Sequence, residues 1–363
     1  MCFYRIVSMK KLIGLIGFIS VLASGCGLFG GGETGSGGEL TGIMNRPAWD
    51  QPNPYGTVLI PAGSFHMGNN DQDINFSNVA LNRQITVSAF YMDDTEITNN
   101  EYRQFLETAK DTLPVEIADM LYPDTMVWIN DFAYAYNEPY TETYFWHPSF
   151  DEYPVVGVNW YAASYFCQWR TAHYNNFRLE IGMLPIPRFR LPTEAEWEYA
   201  SRGGYEHTLY PWESPYLKNH LGCFLANFKP GRGDYIADNF DYTCPVTSYW
   251  PNDYNLWNMP GNVAEWCEDD FEETGYRYAH DLNPVFYDVI KFGPSDVRSF
   301  NYDNPKRQPG GAAIRKVIRG GSWKDIGYYL SCGTRTYEYV DSTKSFIGFR
   351  CVTTKIARDG DNL

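Results

Sequence analysis

Several things are scarce in this chain, and each scarcity excludes something. No apolar run is long enough for a confident membrane span, which takes about 20 residues; the run Leu12 to Ala23 is only "LIGLIGFISVLA". Charged residues are only 20% of 363, while 44% are hydrophobic, so the chain can bury a core and is not disordered. Basic charge is short: 29 Lys and Arg face 44 Asp and Glu, for a net charge of −15. Such a surface repels nucleic acid and anionic membrane. No C-x-x-C pair occurs, which removes the usual zinc spacing. There is no glycine-rich phosphate loop and no G-x-S-x-G elbow, so nucleotide binding and serine hydrolysis have no support. The six histidines, His66, His147, His173, His207, His220 and His280, show no metal-ligand spacing and read as loop or core residues. No internal repeat appears, and no second low-complexity linker follows Gly38.

What is present begins with a leader. Arg5, Lys10 and Lys11 precede the short apolar core, and "LASGC" ends at Cys26. Small residues before a Cys resemble a bacterial lipoprotein signal, with Cys26 as the lipidated residue. Residues 1–25 are thus expected to be removed, and 26–38 to form a lipidated, glycine-rich tether. As a flexible coil the tether spans roughly 20 Å. Residues 39–56 form an N-terminal extension, and 57–363 the body, with insertions at about 110–150 and 268–315.

The body reads as α+β and rich in ordered loops. "TVLIPAGSFHMG" (Thr57 to Gly68) predicts two short strands around a Pro-Ala-Gly turn, and "ITVSAFYM" (Ile85 to Met92) a strand. Three short helices are expected. One opens at the Thr98/Glu101 capping box, one runs from Trp160 to about His173 after Asn159, and one opens at Thr193/Glu196. "CEDDFEE" (Cys267 to Glu273) reads as a solvated acidic face, and "GRGD" (Gly231 to Asp234) as a chance turn. Aromatics crowd Leu113 to Phe150, a composition suited to a protein interface. Six cysteines remain beyond the leader, and an even count in an exported chain favours disulfides, with fifteen pairings open.

Four motifs then occur in order: "RLPTEAEWEYASRGG", "GNVAEW" (Gly261 to Trp266), "RGGSW" (Arg319 to Trp323) and "GFRC" (Gly348 to Cys351). Together they resemble the formylglycine-generating, or sulfatase-modifying factor, family, whose fold is related to C-type lectins. In enzymes of that family two cysteines after the RGGS motif bind copper, and they fall here on Asp325 and Leu330. Neither is a thiol, so no copper and no catalysis are expected. A branch of the fold that uses iron does so through clustered histidines, which this sequence lacks, so no iron is expected either. The resemblance also implies calcium, in one set at Asn258, Gly261, Val263 and Glu265 and in another at Asn227, Phe228, Asp238 and Phe240. It further implies a disulfide between Cys167 and Cys351. Cys223 and Cys244 flank the second calcium set, so pairing them would pin that loop. Cys267 and Cys332 are left for each other; the family's usual partner of Cys332 falls on Ser201.

A narrower resemblance runs through "GELTGIMNRPAWDQPNPYGTVLIPAGSFHMG", "DDTEITNNEYRQF" and "FAYAYNEPYTETYFWHPSFDEYPVVGVNW". These phrases are similar to the GldK/PorK lipoproteins of the type IX secretion and gliding machinery. That likeness implies a non-catalytic, lipid-anchored subunit on the periplasmic face of the outer membrane. It would form a ring with copies of itself and with a GldN/PorN-type protein, and bind no nucleic acid. The rival readings are an active oxidase-type enzyme of the same fold and a lectin-like binding module.

Overall fold

The structure is a computed structural model that describes residues 51–69, 81–132, 139–231, 236–275, 280–287 and 314–356. The leader, Cys26, the tether, most of the 39–56 extension, Arg232 to Asp234 of "GRGD" and residues 288–313 of the second insertion lie outside them. All elements below belong to one unit, Pro52–Lys355; Gln51 and Ile356 fall in a second unit.

In chain order the strands are β1 (Thr57–Ile60), β2 (Gly63–Met67), β3 (Arg83–Val87), β4 (Phe90–Asp93), β5 (Phe189–Arg190), β6 (Ala264–Asp270), β7 (Arg315–Arg319), β8 (Thr336–Tyr339), β9 (Ile347–Gly348) and β10 (Val352–Thr354). The α-helices are α1 (Asn99–Thr112), α2 (Val115–Leu121), α3 (Val127–Asp131), α4 (Tyr140–Thr143), α5 (Trp160–Glu180) and α6 (Glu194–Ser201). One sheet has the order β1-β4-β10-β5 and another β8-β7-β6-β9, with β2 and β3 as a separate ribbon. The mixture of short strands, helices and long loops is the α+β class expected. The Pro61-Ala62 turn separates β1 from β2 as read, but the single strand expected over Ile85–Met92 is two, broken at Ser88 and Ala89.

The first helix follows its sequence closely. Thr98 accepts a hydrogen bond from the Glu101 amide and Glu101 bonds back to the Thr98 amide. Tyr102, Phe105, Leu106 and Ala109 form its buried stripe. It stops at Leu113, whose extended backbone is the conformation that Pro114 imposes on its predecessor. Helix α5 runs to Glu180, seven residues past the expected end at His173. Asn175, a poor helix former, is held there because its amide bonds both the amide and the carbonyl of Ile186. Gly182, at φ +74°, ends the helix instead.

The insertion at 110–150 supplies α2, α3 and α4 beyond the three helices expected, because its aromatics pack inward. Trp128, Tyr144 and Phe145 are buried, and Trp128 stacks near-parallel on Trp323 at 6.3 Å. Asp131 ties the insertion to Lys324 and Ser345. Most of these rings therefore build a local core, although Trp146 stays exposed. "CEDDFEE" is no solvated face either. Cys267 to Asp270 lie in β6, Asp269 and Asp270 are buried, and Asp270 pairs with Lys316 at 2.8 Å.

Candidate functional site

The motif residues meet in one buried network. Helix α6 buries all eight residues, three of them glutamates. Each glutamate has a guanidinium: Glu196 pairs with Arg190 at 2.6 Å, Glu194 with Arg335 at 2.9 Å, and Glu198 with both Arg202 and Arg319. Trp197 donates its indole N–H to Glu265 Oε2 at 2.7 Å. Arg350 grips the same carboxylate with two bonds, of 2.6 and 2.8 Å. So the four motifs are joined through Trp197, Glu198, Glu265, Arg319 and Arg350. Bidentate pairing is what lets such charges be buried, since an unpaired ion in this setting costs several kcal/mol. Gly320, at φ +93°, sits where a Cβ would lie 2.8 Å from the Met259 carbonyl and 3.1 Å from Trp197, so this turn accepts only glycine.

Beyond Gly320 runs the Trp323–Leu330 segment, where the resemblance places the family's copper thiols. The donor chemistry here does not fit copper. Leu330 is buried in a cluster with Tyr210, Ala226 and Phe228. Asp325 is half-buried and accepts a 2.6 Å hydrogen bond from the Ser322 hydroxyl. Burial lifts its carboxyl above the usual range, while the Ser322 bond and Lys324 pull it back. One side of the segment is covered by the insertion through the Trp128–Trp323 stack. On the other lies an open groove of about 400 Å³, lined by Leu217, Phe224, Phe228, Lys229, Pro230, Ile326 and Gly327.

The two candidate calcium sets are packed against each other. A Cβ on Gly261 would lie 2.3 Å from the Asn227 carbonyl, and the Asn262 amide bonds that carbonyl at 2.8 Å. The sets differ in what they leave over. Asn227 Oδ1 and Asp238 Oδ1 are both buried with no hydrogen-bond partner. Asp238 accepts from the Phe228 amide through its other oxygen at 2.8 Å, yet desolvation still lifts its pKa to about 6. Two orphaned oxygens beside a destabilised carboxylate are donors a hard cation would satisfy. In the other set Glu265, expected as a calcium ligand, gives both oxygens to Arg350 and so offers no free carboxylate. Asn258 donates to Val246 O at 3.0 Å, while Gly261 and Val263 were expected to contribute only their backbone carbonyls. Sequence reasoning missed Glu96, buried beside Asn258 and Asn262 and lifted by desolvation to about 8.

The six thiols remain unbonded, and only Cys167 and Cys351 are in sulfur contact, at 3.3 Å. The other expected pairs are not brought together. Cys223 is exposed while Cys244 is buried, Cys332 lies 3.5 Å from the Ser201 hydroxyl, and Cys267 faces the Glu265 carbonyl. Among the histidines, His66 and His207 are neighbours, with ring centroids 4.7 Å apart.

The chain is 29% identical over 317 residues to the formylglycine-generating enzyme of Mus musculus, covering 81% of this chain and 74% of that protein. It is 27% identical to the formylglycine-generating enzyme of Streptomyces coelicolor, covering 84% and 91%. It is 25% identical to the inactive C-alpha-formylglycine-generating enzyme 2 of Bos taurus, covering 82% and 87%. Among solved structures, PvdO from Pseudomonas aeruginosa shares the fold at a TM-score of 0.57 and 19% identity, covering 85% of this chain and 99% of that one. None of these relatives is named as a secretion component. Relatives named for an enzymatic activity, matched over most of their length, overturn the expectation from Asp325 and Leu330 that the chain is not an enzyme, although one relative is named inactive. Residues 45–355 match the Sulfatase-modifying factor enzyme 1-like domain, and the chain belongs to that family.

Proposed function

We propose that the chain is an oxidase-type member of this family that works on polypeptides, and that the polypeptide lies in the groove beside Asp325 and Ile326. The observation that carries this reading is the groove's position: it flanks the segment holding the family's reacting positions, and Ile326 and Lys229 stand exposed along it. Formylglycine is an amino-acid residue, so the relatives' name implies substrates made of amino acids. Two thiolates binding copper are not part of the reading. What these residues do is bind and orient, with an apolar wall for side chains and a carboxyl that keeps its proton to higher pH than a free one. The test is incubation of the mature chain with cysteine-containing peptides in air, followed by capture of peptide aldehyde on a hydrazide. Aldehyde formation that Ile326→Asp abolishes is the expected result. No aldehyde under any metal supplement overturns the oxidase part, and no photocrosslinking of peptide at Phe224 overturns the groove.

Calcium at Asn227 and Asp238 is part of the same proposal, as a structural ion that satisfies their orphaned oxygens. A finer reading rests on a separate observation, the leader ending at Cys26 together with the GldK/PorK-like phrases. It places the chain in a lipid-anchored ring of the type IX machinery, facing the periplasm beside a GldN/PorN-type partner. The exposed Met126, Ile129 and Trp146 of the insertion support a partner-facing surface there. Cys26→Ala should then release the protein from the outer membrane and stop secretion; a variant that still sediments with that membrane overturns the anchor.

A further inference from the structure

The region around His66 carries a cluster that the family motifs do not use. His66 lies on β2, opposite Gln84 of β3. Glu206 and His207 lie in the turn after α6. His66 Nδ1 is 3.7 Å from Glu206 Oε2, and His207 Nε2 is 3.9 Å from that same oxygen. One donor atom from each residue falls within 4.8 Å of the others. A zinc ion bound at about 2.05 Å in tetrahedral geometry sets its donors about 3.3 Å apart, so small side-chain rotations would close this set on an ion.

Two further observations bear on this cluster. His66 Nδ1 is shielded from solvent, has no hydrogen-bond partner, and lies 3.7 Å from Glu206 Oε2. His207 holds a left-handed backbone, φ +58°; every other non-glycine residue with positive φ in the described chain is Asn. Histidine, like Asn, is among the residues enriched in that region, so the turn holds His207 there at little cost. The left-handed turn brings His207 over His66 with the rings tilted by 31°.

We propose that His66, Glu206 and His207 form a binding site for a first-row divalent cation such as zinc. Two imidazoles and one carboxylate suit that class, and calcium's preference for oxygen argues against it here. Glu206 and His207 are about half exposed, so the open coordination positions face solvent and would take water or a donor from a partner. This site is independent of the groove and of the calcium set.

The test uses the tag-free mature chain carrying Cys223→Ser, which removes the exposed thiol as a competing donor. After chelation and buffer exchange it is titrated with zinc by calorimetry and with cobalt by visible absorption. The expected result is one ion per chain and a cobalt spectrum of low coordination number. His207→Ala and His66→Ala should each weaken binding at least tenfold, and Glu206→Gln less. His207→Ala sits at an exposed turn and keeps the test valid should His66→Ala unfold the ribbon. Substoichiometric binding, or unchanged affinity in His207→Ala, overturns the proposal.

Discussion

Two groups of buried acids in this molecule use the same atoms to opposite ends. At Glu265 and Glu198 the carboxylates are met by guanidinium and indole donors: Arg350 and Trp197 hold the first, Arg202 and Arg319 the second. At Asn227 and Asp238, one oxygen on each side chain is buried with no partner. A saturated network has nothing left to offer a ligand, so its role is to hold the fold. An unsaturated one is either a liability or a receptor. Sequence motifs do not separate these cases, since Glu265 and Asp238 both fall on positions that resemble the family's calcium ligands.

The largest effect should come from breaking the saturated side. Arg350→Ala leaves Glu265 buried and unpaired, so unfolding by denaturant should show a loss of about 3–5 kcal/mol. A loss under about 1 kcal/mol would mean that the network relaxes and the contrast is weaker than drawn. Next is the unsaturated side. Chelation by EGTA should lower the thermal midpoint by several degrees, and Asp238→Asn should remove most of that response, because only the native state binds the ion. An EGTA response untouched by Asp238→Asn would move the cation elsewhere.

The last effect concerns pH. Burial lifts Glu96 from 4.5 to about 8 and Asp269 from 3.8 to about 7. Both then hold protons in the folded state that the unfolded chain has released, so stability falls as pH rises from about 4 to about 8. Above the folded values the loss is complete, and below the unfolded ones it vanishes. Glu96→Gln should flatten that slope, with little change at pH 5 and a gain at pH 8. An unchanged slope would mean that Glu96 is ionised within the fold.

What the sequence made legible was local. Both capping boxes, the Pro61 turn and the order of the four motifs could be read because each depends on residues close together in the chain. The pairing of Glu265 with Arg350, 85 residues apart, could not, and so Glu265 was read as a ligand. His66 and His207 show no spacing because β2 and the turn after α6 meet only in the fold. The aromatic insertion was only half legible for a related reason: composition shows that rings are present, but not which of them, like Trp128, face their own chain and which, like Trp146, face outward.

The Trp128–Trp323 pair has a use outside function. Two indoles 6.3 Å apart, with ring planes 18° from parallel, are close enough for their excited states to couple. One belongs to the insertion and the other to the RGGSW motif, so near-ultraviolet circular dichroism should carry a contribution from that junction, which Trp323→Phe would remove. It would let undocking of the insertion be followed optically while the rest of the fold stays intact.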